Sequence, residues 1–302
     1  MSYLLYCQLA ITIRATVVDS QGKENVSCGP MQNVNKQSNL LKKKTKQIIE
    51  KVLGKKGLHY LVLKKSQLSH QQDESQWIFD YFKDQKSGQM IDVGAHRGET
   101  FYPYLRKGWH VLAFEPNPKN IQYIPEFKNL DLIEAAVADY TRDSQVFYES
   151  PESTGISSLN NFHASHSPLT NVSVVTLNDA LKQRDIINID YLKIDTEGYD
   201  LFCLKGLDFE KYLPKLVMVE FEDKKTQPLG YCYQDLGNFL LEKNYLVFLS
   251  EWFPVNQYGQ RHRWRELKSY PCKLRDENGW GNFIAIVKEY ANDFLKHTPL
   301  RS

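Results

Sequence analysis

From about residue 75 the chain alternates short apolar runs with stretches whose apolar residues recur at helical spacing. QWIFDYFKDQ (76–85) reads as a helix and QMIDVGA (89–95) as a buried strand. ETFYPYLRKG (99–108) is a helix and WHVLAFEP (109–116) a strand. NPKNIQYIPEF (117–127) is a helix and LDLIEAAVAD (130–139) a strand. A polar stretch from Ser150 to Thr170 interrupts the pattern, which resumes with SVVTLNDALKQ, where a strand runs into a helix. IDYLKIDTEG, KLVMVEFE, YLVFLSEW and GNFIAIVKEY then read as strands, with YDLFCLKGL and YQDLGNFLLEKN as helices between them. Strands alternating with helices at this spacing imply βαβ units and a parallel sheet in an α/β fold. Right-handed crossovers put helices on both faces. The last two strands are joined by a long polar loop, which fits an antiparallel, hairpin-like end.

Such a sheet binds ligands beyond the carboxyl ends of its strands. The expected ends are Asp92-Val-Gly94, Phe114-Glu115-Pro116, Ala135-Ala136-Val137, Asp195-Thr-Glu197 and Glu220-Phe-Glu222. The first loop, Gly94-Ala95-His96-Arg97-Gly98, has the pattern GxxxG. The diphosphate fingerprint GxGxxG is absent, although glycine still admits a close backbone approach. Glu115 stands where a carboxylate can accept from both hydroxyls of a ribose. It can also cap the turn near Asn117. Ribose recognition without a diphosphate cradle points to S-adenosylmethionine, whose ammonium and sulfonium suit acidic strand ends. The expected cofactor-binding residues are Asp92, Gly94, Ala95, His96, Gly98, Thr100, Glu115, Pro116, Ala136, Val137 and Asp195. Asp92 either orients the loop by accepting backbone hydrogen bonds or meets the cofactor's ammonium.

The blocks IDVGAHRGETF, AFEPNP, VVTLNDAL and DYLKIDTEGYDLFCLKG resemble the FkbM family of S-adenosylmethionine-dependent methyltransferases over roughly residues 88–250. Leu192 to Gly198, with Leu204-Lys-Gly206 behind it, is the most specific piece. The resemblance implies a Rossmann-like class I methyltransferase sheet of seven strands, the last inserted antiparallel. It implies methyl transfer to a hydroxyl of a sugar, glycolipid or natural product. His96 stands where such families often carry asparagine; it can donate to the cofactor's carboxylate or cap the following helix.

A hydroxyl is a weak nucleophile, so a base beside it helps. Asp195 is the first candidate, with His163 and His166 in the polar stretch as weaker ones, since histidine titrates near neutral pH. Asp195, Glu197 and Glu220 also offer hard oxygen ligands for a divalent metal; Glu197 can instead cap the helix near Tyr199. EWFPVNQYGQRHRWREL mixes Trp252, Phe253, Tyr258 and Trp264 with Arg261, Arg263 and Arg265, which suits an acidic or phosphorylated glycan, with single-stranded nucleic acid or an ordinary surface loop as the alternatives. A nucleotide-dependent oxidoreductase and a non-catalytic membrane-peripheral protein are the alternative readings.

With 302 residues and 42% hydrophobic content the chain can build one large domain and an extension. The expected division is a poorly ordered segment over 1–38, a basic helical extension over 39–74, the methyltransferase domain over 75–290 and a tail over 291–302. Within the extension, LLKKKTKQIIEKVLGKK (40–56) is amphipathic, fit to pack on the domain or to touch a membrane surface. The apolar run over 3–18 is too short and broken for a membrane span and poor as a signal peptide. Net charge of +2 gives no general reason to expect nucleic acid. Five cysteines without a CxxC pair fit a reducing cytoplasm.

Overall fold

The structure is a computed structural model that describes residues 31–66, 73–255 and 262–300. The expectations for residues 1–30, including the apolar run over 3–18, lie outside the described residues. The chain divides into two units, one ending at Val52 and one beginning at Leu53. Residues 31–38, expected to be poorly ordered, are helical: α1 covers Met31–Ser66 and is broken at Gly54, where φ is 69° and ψ 177°. Ile48 and Val52, on the apolar side read for 40–56, are exposed. No helix among the described residues is long and apolar enough to cross a membrane.

The second unit is built on a sheet of strands β1 (Gln89–Val93), β2 (His110–Phe114), β3 (Leu130–Ile133), β7 (Tyr191–Ile194), β8 (Leu216–Glu222), β9 (Tyr245–Trp252), β10 (Trp264–Ser269) and β11 (Trp280–Val287). Their order is β10-β9-β11-β8-β7-β1-β2-β3. The order reverses beside β1, which places the ligand crevice above β1 and β7. The last strand, β11, runs antiparallel between β8 and β9, as the resemblance implies. An eighth strand, β10, lies in what reads as a polar loop and pairs antiparallel along β9. Its sequence WRELKS carries three charged residues, Arg265, Glu266 and Lys268, which hide an edge strand from hydropathy.

LDLIEAAVAD was expected as one strand. It splits after Ile133, and Ala136–Val137 (β4) joins a separate three-stranded sheet with β5 (Arg142–Glu149) and β6 (Ser167–Val175). The interrupting polar stretch is therefore largely the connection of an antiparallel hairpin.

Alternating residues of the central strands fill two cores. Ile91, Leu192, Val217 and Phe283 face one side, where α5 (Leu177–Lys182), α6 (Asp200–Lys205) and α8 (Tyr233–Glu242) bury Leu181, Leu204 and Leu240. Met90, Tyr191, Leu216 and Ile284 face the other, against α2 (Glu74–Tyr81), α3 (Tyr102–Arg106) and α9 (Ala291–Leu295). Helix α9 lies in the expected tail, yet its Phe294 is wholly buried.

Candidate active site

The register of β1 against β7 sets Asp92 beside Lys193, both on the face of Met90 and Tyr191. Two buried strands thus meet through opposite charges, Lys193 Nζ lying 3.1 Å from Asp92 Oδ1. The ammonium donates to the Gly94 carbonyl at 2.7 Å and lies 3.7 Å from Asp195 Oδ2. Against the cost of burial, Asp92 and Asp195 hold Lys193 above the ordinary lysine range. Burial pushes Asp92 up while Lys193 opposes it. Asp92 therefore neither accepts backbone hydrogen bonds nor reaches the ligand space. It fixes Lys193, which fixes the loop.

Gly94 has φ 75°, and a Cβ there would stand 1.8 Å from the Asp195 carbonyl oxygen. The glycine is demanded by the approach of β1 to the chain after β7. His96 also has positive φ, at 50°. Its N–H donates to Glu115 Oε2 at 2.7 Å, its Nε2 lies 3.1 Å from Thr154 Oγ1 and its Nδ1 3.4 Å from Glu99 Oε2. The imidazole ties the loop to the turn Thr154–Ile156. Gly98 is away from the ligand space; a Cβ there would stand 2.6 Å from the Phe101 ring, so the glycine makes room for that ring.

Above these strand ends lies a cavity of about 480 Å³. Of the residues expected to bind cofactor, Gly94, Ala95, His96, Thr100, Glu115, Pro116, Ala136, Val137 and Asp195 line it, and Asp92 and Gly98 do not. Glu115 Oε1 accepts from Asn117 N–H at 2.9 Å and Asn120 Nδ2 at 3.2 Å. Burial raises its carboxyl and these donors hold it down. Asn120 Oδ1, in the same wall, is buried and has no hydrogen-bond partner. A buried acceptor is seldom left unpaired, and a ligand hydroxyl beside Glu115 is a fitting donor. The wall of this end thus fits a ribose.

The other end is acidic. Asp195, Glu197 and Glu220 each bring one carboxylate oxygen within 4.8 Å of the others, the convergence expected for a metal. Lys225, on α7 (Asp223–Thr226), points its ammonium into the same place. Nζ lies 2.6 Å from Glu197 Oε2, 2.9 Å from Glu220 Oε2 and 2.9 Å from Glu222 Oε2. Hard oxygens suit Mg²⁺, but two of the three offered here already hold an ammonium, so the set as folded fits Lys225 and not a divalent ion. Burial and crowding of acids push Glu197 up to about 8 and Glu220 well above the carboxylate range. The same acids keep Lys225 charged despite its burial.

Glu197 has φ 57°, a strained value for a residue with a side chain. It does not cap α6. Asp200 does the tying, accepting from Thr196 N–H at 2.9 Å and Gly198 N–H at 3.0 Å. Glu197 is thereby free to reach Lys225.

His163 and His166 do not line the cavity. His163 Nδ1 meets Ser165 Oγ at 2.6 Å, and His166 Nε2 meets the Ile156 carbonyl at 2.8 Å. They brace the β5–β6 connection, of which only Ser153–Ser157 and Leu159 reach the cavity. The histidine that does line the acidic end is His262, edge-on to Trp280 at 5.0 Å. Burial lowers its pKa, leaving the ring neutral near pH 7. Sequence reading missed His262, Lys193, Lys225 and Asp200. The expected aromatic and arginine surface is spent on packing: Trp252 donates to Glu74 at 2.7 Å, Trp264 to Ser250 at 2.9 Å and Arg265 to Glu251 at 2.9 Å, while Arg263 lies 3.7 Å from the Phe253 ring centre. Tyr258 and Arg261 lie outside the described residues.

The family model described as "Methyltransferase FkbM domain" matches residues 92–247, just over half of the chain. No curated protein matches. Among solved structures, precorrin-6y C5,15-methyltransferase from Geobacter metallireducens is similar at 14% identity and TM-score 0.40, covering 73% of this chain and 91% of that one. A TehB-like SAM-dependent methyltransferase from Corynebacterium glutamicum is similar at 9% identity and TM-score 0.39, covering 74% and 92%. The assignment rests on the family match, in accord with a strand order and a ribose-fitting cavity end reached independently of it. The chain belongs to the FkbM methyltransferase family, whose members take their methyl group from S-adenosylmethionine.

Proposed function

We propose that the protein methylates a hydroxyl oxygen on a sugar, glycolipid or natural-product acceptor. The observation that carries this reading is the pair of proton-accepting groups, Asp195 and His262, in the wall of the cavity's acidic end. An oxygen acceptor must lose its proton as the new bond forms, and a positioned base contributes about 10²–10⁴-fold. When bound, S-adenosylmethionine supplies an activated methyl group on a cationic sulfur. The chain's task is to orient the two partners and to take the proton. Glu115 and Asn120 hold the nucleoside end. The backbone of Gly94 and Ala95, braced by Lys193, sets the depth. Trp280, packed against Trp252 and His262, gives the same wall an aromatic surface of the kind that sugar acceptors meet.

Radiolabelled cofactor presented to sugar, lipid-linked and polyketide-type hydroxyls tests the reading. Label is expected in an alkali-stable ether. His262→Asn and Asp195→Asn are expected to lower kcat, one of them by about 100-fold, with cofactor affinity little changed. Transfer to nitrogen or carbon acceptors alone refutes the oxygen assignment while leaving the family intact.

A further inference from the structure

Lys225 is 2% exposed and has three acidic neighbours, one for each proton of its ammonium. Its place is fixed from several directions. The backbone carbonyl of Lys225 accepts from Asn160 Nδ2 at 2.9 Å. Gly198 packs against that carbonyl so closely that a Cβ would stand 3.2 Å from it. Glu222, the residue before α7, folds back on the ammonium it helps to hold. These contacts fix the backbone of Lys225, and swinging its side chain away would leave three buried carboxyl groups without the donor they share, a costly change.

The Asp195–Glu197–Glu220 convergence is thus a cation seat that is already taken. We propose that Lys225 is the resident cation of the acceptor end, a positioning residue that holds Glu197, Glu220 and Glu222 in the cavity wall and balances their charge, so that methyl transfer in this protein uses no divalent metal. The word acceptor rests on the methyltransferase reading; the occupancy of the seat does not. Removing the ammonium frees converging carboxyl oxygens, and a divalent ion that takes them displaces the protons they carry, which is the chemistry of a Mg²⁺ or Mn²⁺ site.

Mn²⁺ titrated into the full chain, with the free ion followed by electron paramagnetic resonance, tests this without any turnover. The wild type is expected to show no one-to-one binding. Lys225→Ala is expected to bind one Mn²⁺ at least about tenfold more tightly than the wild type, and Lys225→Ala with Glu220→Gln to lose that gain. Lys225→Arg keeps a cation and is expected to behave as the wild type. One-to-one Mn²⁺ binding by the wild type that Glu220→Gln abolishes overturns the proposal. So does a folded Lys225→Ala that gains no Mn²⁺ affinity. If Lys225→Ala does not fold, the wild-type titration with and without Glu220→Gln still decides. A failed methyltransferase reading shows instead as absent cofactor binding, with the Mn²⁺ result unaffected.

Discussion

A side chain at position 94 has nowhere to go. Its Cβ would stand 1.8 Å from the Asp195 carbonyl oxygen at a φ of 75°. Gly94→Ala should therefore cost about 2 kcal/mol or more of stability, since it adds backbone strain to a collision with main chain; a melting temperature equal to the wild type's would contradict the geometry. Glu115 is a different case. It serves both the fold and the ligand, accepting from His96, Asn117 and Asn120 while lining the cavity. Alanine would strand three donors, so Glu115→Gln is the cleaner probe. It should weaken cofactor binding by about tenfold, the scale of one lost charge-assisted hydrogen bond, as read by calorimetry. An unchanged affinity would show that ribose is held elsewhere. Glu115 was legible from its place at a strand end. Lys193 carried a signal that sequence reading passed over: a lysine in one buried strand and an aspartate in another imply a buried pair. Lys225 and His262 carried none, because Lys225 reaches the cluster through the fold-back of a short helix and His262 arrives from beyond the end of β9.

The elements that position the site are those with the strongest pattern. Strands β1, β2, β7 and β8 were readable because both faces are buried, so each is a continuous apolar run. Of the exceptions inside those runs, Lys193, Glu220 and Glu222 line the cavity, and Asp92 holds Lys193 from beneath. Elements with mixed character were harder. Strand β10 is charged because it is an edge, and β3 and β4 were merged because two short strands in different sheets follow each other within a few residues. The end of the chain was also misjudged from composition. Helix α9 places the Phe294 ring 5.6 Å from Tyr81 and 6.4 Å from Phe248, closing one core. Phe294→Ala should cost about 3–5 kcal/mol, measured by denaturant unfolding. A cost below about 1 kcal/mol would show that α9 is dispensable to the domain.

Across the whole second unit, charge is concentrated at one end of the sheet, and its titration should be visible in stability. Glu197 keeps its proton to about pH 8 in the folded protein, against 4.5 for the free side chain. Between those values the native state binds more protons than the unfolded one, so its contribution to stability falls as pH rises through that window. Glu197→Gln imitates the protonated side chain and removes this contribution. Its melting temperature should vary less than the wild type's between about pH 5 and about pH 8; parallel curves would mean that Glu197 is ionised throughout. A parallel sheet with an antiparallel end was legible from the strand–helix alternation and the long polar connection before the last strand, whereas the strand order and its reversal beside β1 are visible only in the fold. The distribution of roles within the acidic end was not legible either, because it depends on which carboxylate meets which ammonium.

The cavity over β1, β2 and β7 is expected to hold S-adenosylmethionine. Isothermal titration of the full chain with S-adenosylmethionine tests it most directly. Saturable one-to-one binding, with a dissociation constant in about the micromolar range common for enzyme substrates, is the predicted result. A folded protein that takes up no S-adenosylmethionine would contradict the account.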